Sequence, residues 1–367
     1  MTASLPISKS RHIPGLHTLR VYAALSVVVG HVDQFIPGWF LIDVNTGILR
    51  NLTLTGGGAV LLFYVLSGYL LTTALLAEKR QRTDVDAGRF YRRRLRRIVP
   101  AYYLVMAVTV VVSVLTAPNY GIVFGRQFDA LQIPATLLFA TFVPLALNSV
   151  SGMFSHLWSV GVEIVFYGMV PWLVRSRYVP LTFGLVIALR LLLLAVLPVD
   201  SPLYQIVLYL KIDALAIGGL FALLWQYQQN AVKRTLTTRP ARLVLILLLA
   251  LLIVGDIPAH VVPVDFAMAF IFGWLILNIN AGYFVFENRL VLWLGNLTFG
   301  IYLWHMLALF IVGASGMAGV RVYVAVFGIA LALAYVTYNL VERPIMGDRR
   351  PQTALPVKTL PGGIEEA

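Results

Sequence analysis

Apolar runs of about the length that a lipid bilayer requires recur along nearly the whole of this chain. Of its 367 residues, 59% are hydrophobic and only 12% are charged, whereas a soluble domain carries about 25% charged residues. A helix crosses the hydrocarbon core with about 20 apolar residues, because it satisfies its backbone hydrogen bonds internally. The pattern predicts an all-α, polytopic integral membrane protein.

We predict ten membrane-spanning helices and one further apolar run, 131–147, which does not cross. Pro134 and Pro144 interrupt that run, and a non-crossing segment is tolerated where protein or a cavity covers it. The predicted spans are 17–36, 53–77, 98–117, 157–174, 179–198, 204–227, 241–257, 261–281, 291–312 and 319–341.

Basic residues predict the orientation of these spans. Loop 78–97 holds nine Lys and Arg residues and is therefore cytoplasmic, which places the N-terminus inside as well. The cations of loop 228–240 and of the C-terminal tail belong on the same side. These assignments agree only if 131–147 does not cross, which leaves both termini in the cytoplasm. The net charge of +12 is thus a topology signal, and we predict no nucleic-acid partner.

The chain is predicted to be one membrane domain with short polar ends. Residues 1–15 read as a cytoplasmic leader without a cleavage site, and residues 16–345 form the membrane domain. Residues 346–367 are rich in Pro, Gly and Thr and are predicted to be a disordered cytoplasmic tail.

Arg20 and His31 lie on the first predicted span with ten residues between them. Eleven steps return a helix to within about 20° of its start and raise it by about 16 Å, so both side chains are predicted on one face. Ionisable groups inside a span are costly and by default mark a functional path. Arg20 alone fits a snorkelling cation; because His31 does not reach the surface easily, we interpret the pair as functional.

A second candidate is the arginine block that precedes the third predicted span. Six arginines fall in the nine residues 89–97, which is more than orientation requires. Arg94 and Arg97 are spaced i, i+3 and share a helix face, and Arg93 lies beside them. Guanidinium forks match phosphates, so the partner is either anionic lipid headgroups or a phosphorylated cytoplasmic cofactor. The residues alone leave both interpretations open.

Glu163 falls inside the fourth predicted span, where a carboxylate needs a partner or a proton. It is expected either to orient His31, as a carboxylate does for a catalytic imidazole, or to pair with Lys211 or Arg190. His305 is a second imidazole deep in the ninth predicted span, suited to a helix–helix hydrogen bond or a substrate contact.

We predict no metal site. His31, His156 and His305 lack the spacing of metal ligands. The chain has no cysteine, which excludes disulfides, a thiolate nucleophile and a Cys-built zinc site.

These stretches, taken in order, resemble the acyltransferase-3 family of integral membrane acyltransferases. Any one of them is a weak signal, whereas six in the family's order are a strong one. They are Arg20-x10-His31, Phe63–Leu70, the arginine block ending at Pro100, Trp158-Ser159 with Glu163 and Phe166-Tyr167, Tyr302–His305, and Glu342-Arg343-Pro344. No appended SGNH hydrolase-like domain is found, so a stand-alone transferase is expected.

The resemblance implies transfer of an acyl group, commonly acetyl, from acyl-CoA (acetyl-CoA) as co-substrate to a hydroxyl. The acceptor would be a carbohydrate or polysaccharide, a lipid-linked glycan, or a sugar-bearing small molecule such as a macrolide. It also implies a multi-pass protein of the bacterial cytoplasmic (inner) membrane.

Roles for individual residues follow from the same resemblance. His31 would act as general base, with Glu163 stabilising its charged form; direct transfer is preferred, and an acyl-imidazole intermediate at His31 is a variant. The predicted coenzyme-binding residues are Arg20, Arg93, Arg94 and Arg97. The predicted substrate-binding residues are Trp158, His305, Tyr302 and Lys211.

A membrane transporter or channel is the alternative function. The proton or anion path would then consist of Arg20, His31, Glu163 and Lys211. The absence of an inverted sequence repeat weighs against it.

A reporter fused after residue 150 tests the predicted topology. We expect periplasmic activity there, because three spans precede the fusion if 131–147 does not cross. A fusion after residue 84, which follows two spans, is the control and should report the cytoplasm. Cytoplasmic activity at residue 150 would mean that the segment crosses.

Overall fold

A computed structural model describes residues 13–39, 54, 56–120, 132–147, 152–254 and 261–347. Most of the predicted leader and nearly all of the predicted tail lie outside these residues. Within the described ranges the regular structure is helical, and no strand occurs. The predicted all-α class is confirmed.

The described helices are named in chain order. They are α1 (Leu16–Trp39), α2 (Gly56–Arg82), α3 (Ala87–Tyr120), α4 (Gln132–Leu137), α5 (Phe142–Ala146), α6 (Gly152–Ser155), α7 (Trp158–Arg175), α8 (Val179–Val196), α9 (Pro202–Tyr209), α10 (Ile212–Thr235), α11 (Arg239–Val254), α12 (Val262–Asn280), α13 (Arg289–Ala314), α14 (Arg321–Thr337) and α15 (Arg343–Met346), with a π-helix, Tyr338–Glu342, between the last two.

Among the described residues, eight helical stretches are long and apolar enough to cross a membrane. Each coincides with one of the predicted spans, and the two remaining predicted spans, 17–36 and 241–257, correspond to α1 and α11. A polytopic membrane protein is therefore confirmed. The count of ten spans and the sidedness of the loops stay predictions.

The apolar segment 131–147 forms two short helices in its described part. The helices α4 and α5 have six and five residues, and each is therefore under about 10 Å long, against a hydrocarbon core of about 30 Å. The hydroxyls of Tyr102 and Tyr103 donate to the carbonyls of Thr136 and Leu137 at 2.8 and 2.6 Å. These bonds satisfy backbone groups that the end of α4 leaves open, which is how an irregular segment is tolerated in an apolar setting.

Helix α13 occupies the centre of the bundle. Every residue from Gly300 to Phe310 is buried, as expected of a helix that is hydrophobic on all sides. Its main neighbours are α1 and α14. Polar residues on α13 therefore face other helices rather than lipid.

Helices α2 and α10 pack with their backbones in close approach. A Cβ at Gly68 would overlap the carbonyl oxygen of Leu215, and a Cβ at Gly218 would overlap the carbonyl oxygen of Val65. Small residues allow such proximity between membrane helices, whose association relies on van der Waals packing. The two glycines thus set the spacing of this helix pair.

The ends of α2 and α7 are tied together at the predicted cytoplasmic side. Lys79 donates to the carbonyls of residues 174–176 at 2.8, 3.2 and 3.0 Å, which caps the last turn of α7. Arg175 binds Asp84 at 3.0 Å. The backbone N–H of Val85 and the Arg175 guanidinium stabilise the carboxylate, so they hold the pKa of the Asp84 side chain below its ordinary value.

Gly68→Ala tests the close approach of α2 and α10. The added methyl meets backbone rather than a flexible side chain, so we expect a loss of about 1–3 kcal/mol, measured by thermal unfolding of the detergent-solubilised protein. The matched control is Gly184→Ala on α8, where a Cβ meets nothing within 4 Å and the helix gains up to about 1 kcal/mol. Equal melting temperatures for the two variants would contradict the packing argument.

Candidate active site

Helix α1 joins a basic cluster at one end to a histidine contact deeper in the bundle. The helix is continuous from Leu16 to Trp39, so Arg20 and His31 share a face about 16 Å apart along the axis. Arg20 interacts electrostatically with Arg94 and Arg97 of α3, whereas His31 contacts His305 of α13. The two predicted residues thus lie in two different polar environments on one helix.

The imidazoles of His31 and His305 are hydrogen-bonded, and their ring planes are close to parallel. Nε2 of His305 lies 2.8 Å from Nδ1 of His31, and the ring centroids are 4.9 Å apart at 23°. The other nitrogen of His305, Nδ1, lies 2.5 Å from the carbonyl oxygen of Tyr302. The expected role of His305 as a helix–helix hydrogen bond is therefore met, and its partner is the candidate base itself.

His156 completes a group of three histidines. Its ring lies 4.9 Å from that of His305 at 76°, and its Nε2 donates to the carbonyl of Leu303 at 3.1 Å. Nevertheless, within the described ranges no group of three His, Asp or Glu side chains has a geometry that could hold a metal ion.

Tyr302 and Ser159 hold the backbone around this group. The Tyr302 hydroxyl donates to the carbonyl of His156 at 2.6 Å and lies 2.6 Å from the Ser159 hydroxyl. Tyr64 donates to the Ser159 carbonyl at 3.3 Å, and the ring of Trp158 packs edge-on against Tyr64 at 6.1 Å. Of the predicted substrate-binding residues, His305 thus contacts His31 itself, and Tyr302 contacts His156 in the same group. Trp158 is connected to this group through Tyr64.

The arginine block divides into residues that face the bundle and residues that face outward. Arg94 and Arg97 are half-buried, and the Arg94 guanidinium lies 5.7 Å from the ring centres of both Phe90 and Tyr167. Arg93 differs from them, because 40% of its side chain is exposed and it pairs with Glu78 at 3.3 Å. The structure therefore joins Arg20 to Arg94 and Arg97, whereas Arg93 interacts with Arg94 but is not among the charges that act on Arg20.

The expectation that Glu163 holds the imidazole of His31 is corrected by the structure. Its carboxylate accepts hydrogen bonds from the hydroxyls of Ser67 and Tyr167 and interacts electrostatically with Arg20. Glu163 lies one turn from Ser159 on α7, but its oxygens point to the basic cluster, where a carboxylate finds both donors and cations.

The alternative pairings of Glu163 with Lys211 or Arg190 are also wrong. Lys211 binds Asp265 of α12 at 2.5 Å, and Arg190 of α8 binds Asp213 at 2.8 Å. No side chain of these two ion pairs is more than 6% exposed. Burial of a charge in an apolar setting requires such a partner.

The ion pairs accompany an interruption of the predicted span 204–227. Helix α9 ends at Tyr209 and α10 begins at Ile212, which leaves carbonyls without helical partners. The Arg190 guanidinium supplies donors for them: it donates hydrogen bonds to the carbonyls of Val207, Leu208 and Leu210 at 3.0–3.2 Å. Lys211 therefore stands at a stabilised helix break rather than in the histidine group.

Sequence reasoning missed the contact that brings the histidines together. Nothing in the spacing of His156 predicts that it lies beside His305. The i, i+3 spacing of Tyr302 and His305 does predict one local contact, because on a helix it places the ring of His305 beside the carbonyl of Tyr302.

Comparisons with known proteins found a matching family model and similar sequences. The acyltransferase-3 family model, described as "Acyltransferase domain", matches residues 13–339. The O-acetyltransferase OatA of Staphylococcus aureus (strain NCTC 8325 / PS 47) is 24% identical over 91% of this chain and 57% of its own length. The putative peptidoglycan O-acetyltransferase YrhL of Bacillus subtilis (strain 168) is 28% identical over 91% of this chain and 55% of its own length. The chain thus spans little more than half the length of these relatives, and no solved structure matches it.

Lys211→Met tests whether the buried lysine is structural. The change leaves Asp265 buried without its cation, and we expect a loss of about 3–5 kcal/mol, seen as a lower unfolding temperature in detergent. The double variant Lys211→Met/Asp265→Leu should recover most of this loss. Lys233→Met, at an exposed position, is the control and should change stability by less than about 0.5 kcal/mol. A double variant that is stable yet inactive would instead support the predicted contact of Lys211 with substrate.

Proposed function

The chain belongs to the acyltransferase-3 family, and from this premise we propose that it moves an acyl group, acetyl in the simplest case, from cytoplasmic acyl-CoA to a hydroxyl of a carbohydrate or glycosylated acceptor. The observation that carries the proposal is the arrangement along α1. A cluster of guanidinium groups surrounds one end of the helix, and a histidine contact lies about three turns deeper on the same face. An elongated donor with phosphates at one end and a thioester at the other fits such a path.

The basic cluster suits the phosphate end of the donor. Arg20, Arg94 and Arg97 are half-buried, and two carboxylates interact with them, Glu163 with Arg20 and Glu342 with Arg97. Three guanidinium groups against two carboxylates leave the group with a net positive charge. Partly desolvated guanidinium groups bind phosphate oxygens with paired hydrogen bonds. The mutual repulsion of three like charges is offset when an anion binds between them.

His31 is the proposed general base. It takes the proton of the acceptor hydroxyl while the oxygen bonds to the acyl carbon, and it returns that proton to the thiolate of coenzyme A as the C–S bond breaks. A side chain that can accept and donate a proton near neutral pH suits this role. In this step the acyl group moves from the sulfur of coenzyme A to the oxygen of the acceptor, and one proton moves from that oxygen to the sulfur. No metal takes part in the proposed step.

The acceptor class rests on the relatives and on the residues beside the histidines. One of the relatives is named as a putative peptidoglycan O-acetyltransferase, which supports a carbohydrate acceptor. The rings of Phe63 and Tyr302 lie 6.4 Å apart, and Trp158 lies between Tyr64 and Tyr209 at 6.1 and 5.7 Å. These aromatic groups suit contacts with the apolar faces of sugars.

Two observations weigh against a transporter that uses the same ionisable residues. Lys211 is held by Asp265, and Glu163 is held by two hydroxyls. A proton or anion path requires groups that exchange partners, whereas these groups are locked in buried hydrogen bonds.

Acyl transfer is tested with purified protein, labelled acetyl-CoA and a panel of acceptors that includes peptidoglycan fragments, lipid-linked glycans and macrolides. We expect label in an acceptor, a loss of at least about 100-fold in kcat for His31→Ala, and a KM for acetyl-CoA raised roughly tenfold, about 1.4 kcal/mol, for Arg97→Gln.

The control for the second variant is Arg96→Gln. Arg96 lies next to Arg97 in the chain but is exposed, so the KM of the Arg96→Gln variant for acetyl-CoA should match that of the unmodified protein. If label stays on the coenzyme while His31→Ala alters only the flux of a solute, the transporter is the correct function. An equal effect of the two arginine variants would remove the argument for a phosphate site.

A further inference from the structure

We propose that His305 is a positioning residue that keeps the proton of neutral His31 on Nδ1, so that the lone pair of Nε2 is presented to the acceptor hydroxyl. The inference rests on the proposed function and adds the group that sets the tautomer of its base. It follows from the contact between the two imidazoles and from the carbonyl behind it.

The first step is that His305 is neutral. Its side chain is fully buried on α13, and its described partners are the Tyr302 carbonyl, His31 and the rings of His156 and Tyr302. No carboxylate is among these partners in the described part of the chain. A buried imidazolium without a counter-ion is too costly to persist.

The second step is the placement of the protons. A carbonyl oxygen only accepts, so the Nδ1 of His305 that faces the Tyr302 carbonyl carries a proton and donates it. In a neutral imidazole the other nitrogen is then an acceptor. Nε2 of His305 therefore accepts from Nδ1–H of His31 across the 2.8 Å contact, and neutral His31 has its lone pair on Nε2.

The third step concerns the charged state of His31. When Nε2 of His31 takes a proton, its Nδ1–H still donates to His305, and the Tyr302 carbonyl lies at the far end of the same chain of hydrogen bonds. Linked hydrogen bonds polarise one another in a low-dielectric interior. The pair thus supplies the orientation that a carboxylate provides in a Ser-His-Asp triad, which is why Glu163 can serve the basic cluster instead.

The surrounding helices keep His305 in this position. Its ring is fixed on one side by its own backbone through Tyr302 and on the other by His156, whose Nε2 is bound to Leu303. The Tyr302 hydroxyl binds the carbonyl of His156. Among the described contacts of the pair, the titratable side chains are His156, which donates to the carbonyl of Leu303, and Tyr302, which donates to the carbonyl of His156.

The test compares two substitutions at His305 in protein labelled with ¹⁵N at histidine and held in nanodiscs. Nitrogen NMR of the unmodified protein should show His31 protonated on Nδ1 at neutral pH, with the signal assigned by its loss in His31→Ala. In His305→Leu the acceptor is absent, and we expect the Nδ1 preference to disappear. His305→Gln offers an amide oxygen at the place of Nε2 and should restore the preference in part.

The same variants are compared in the acetyl-CoA assay. We expect kcat to fall by roughly 100-fold in His305→Leu and by less in His305→Gln, with the KM for acetyl-CoA unchanged, because the lost interaction acts on the reacting group. Met306→Leu, a volume-conserving change at the next buried residue of α13, is the control for packing and should resemble the unmodified protein.

The outcomes separate this inference from the function on which it rests. If the unmodified protein transfers acetyl and His31→Ala does not, but His305→Leu retains both the tautomer and kcat, the positioning role is refuted and the function stands. If the two His305 variants lose activity equally while the tautomer stays on Nδ1, His305 is only structural and the inference is refuted. If no acyl transfer occurs at all, the proposed function fails, and the NMR result alone decides the tautomer.

Discussion

The structure depends on one constraint: an ionisable or hydrogen-bonding group inside an apolar bundle must meet a partner from another part of the chain. The two fully buried ion pairs of the described residues obey it, Arg190 with Asp213 and Lys211 with Asp265. An unpaired charge at this depth costs more than most packing contacts provide. Partner choice therefore fixes how α8, α10 and α12 are arranged around each other.

The same constraint explains the irregular parts of the backbone. The break between α9 and α10 exposes carbonyls that the Arg190 guanidinium binds, and the end of α4 exposes carbonyls that Tyr102 and Tyr103 bind. At both breaks the backbone stays hydrogen-bonded, because each of these carbonyls receives a donor from a neighbouring helix. The described part of the bundle thus accommodates short helical segments, because neighbouring helices supply donors to these carbonyls.

The distribution of polar groups separates two kinds of site on either end of the Arg20–His31 face. Near Arg20, half-buried guanidinium groups, aromatic rings and two carboxylates form a charged environment. Near His31, three imidazoles, a tyrosine and a serine form a neutral one. A neutral, enclosed environment strengthens the hydrogen bonds within it, which suits proton transfer, whereas a charged and more open one suits binding of a soluble anion.

The sequence by itself determined the fold class, the positions of most spans and the shared face of Arg20 and His31. These features follow from hydropathy and helical periodicity, which are local properties of the chain. Only the tertiary structure decided the partners: it brought His305 to His31 and Glu163 to Ser67 and Tyr167. It also placed Arg94 and Arg97, but not Arg93, among the charges that act on Arg20. The physical reason is that a helix face shows which residues point the same way, whereas the residue opposite them comes from a helix far along the chain, here 274 positions away for His31 and His305. Such a contact depends on the rotation and depth of both helices, and no local pattern encodes either.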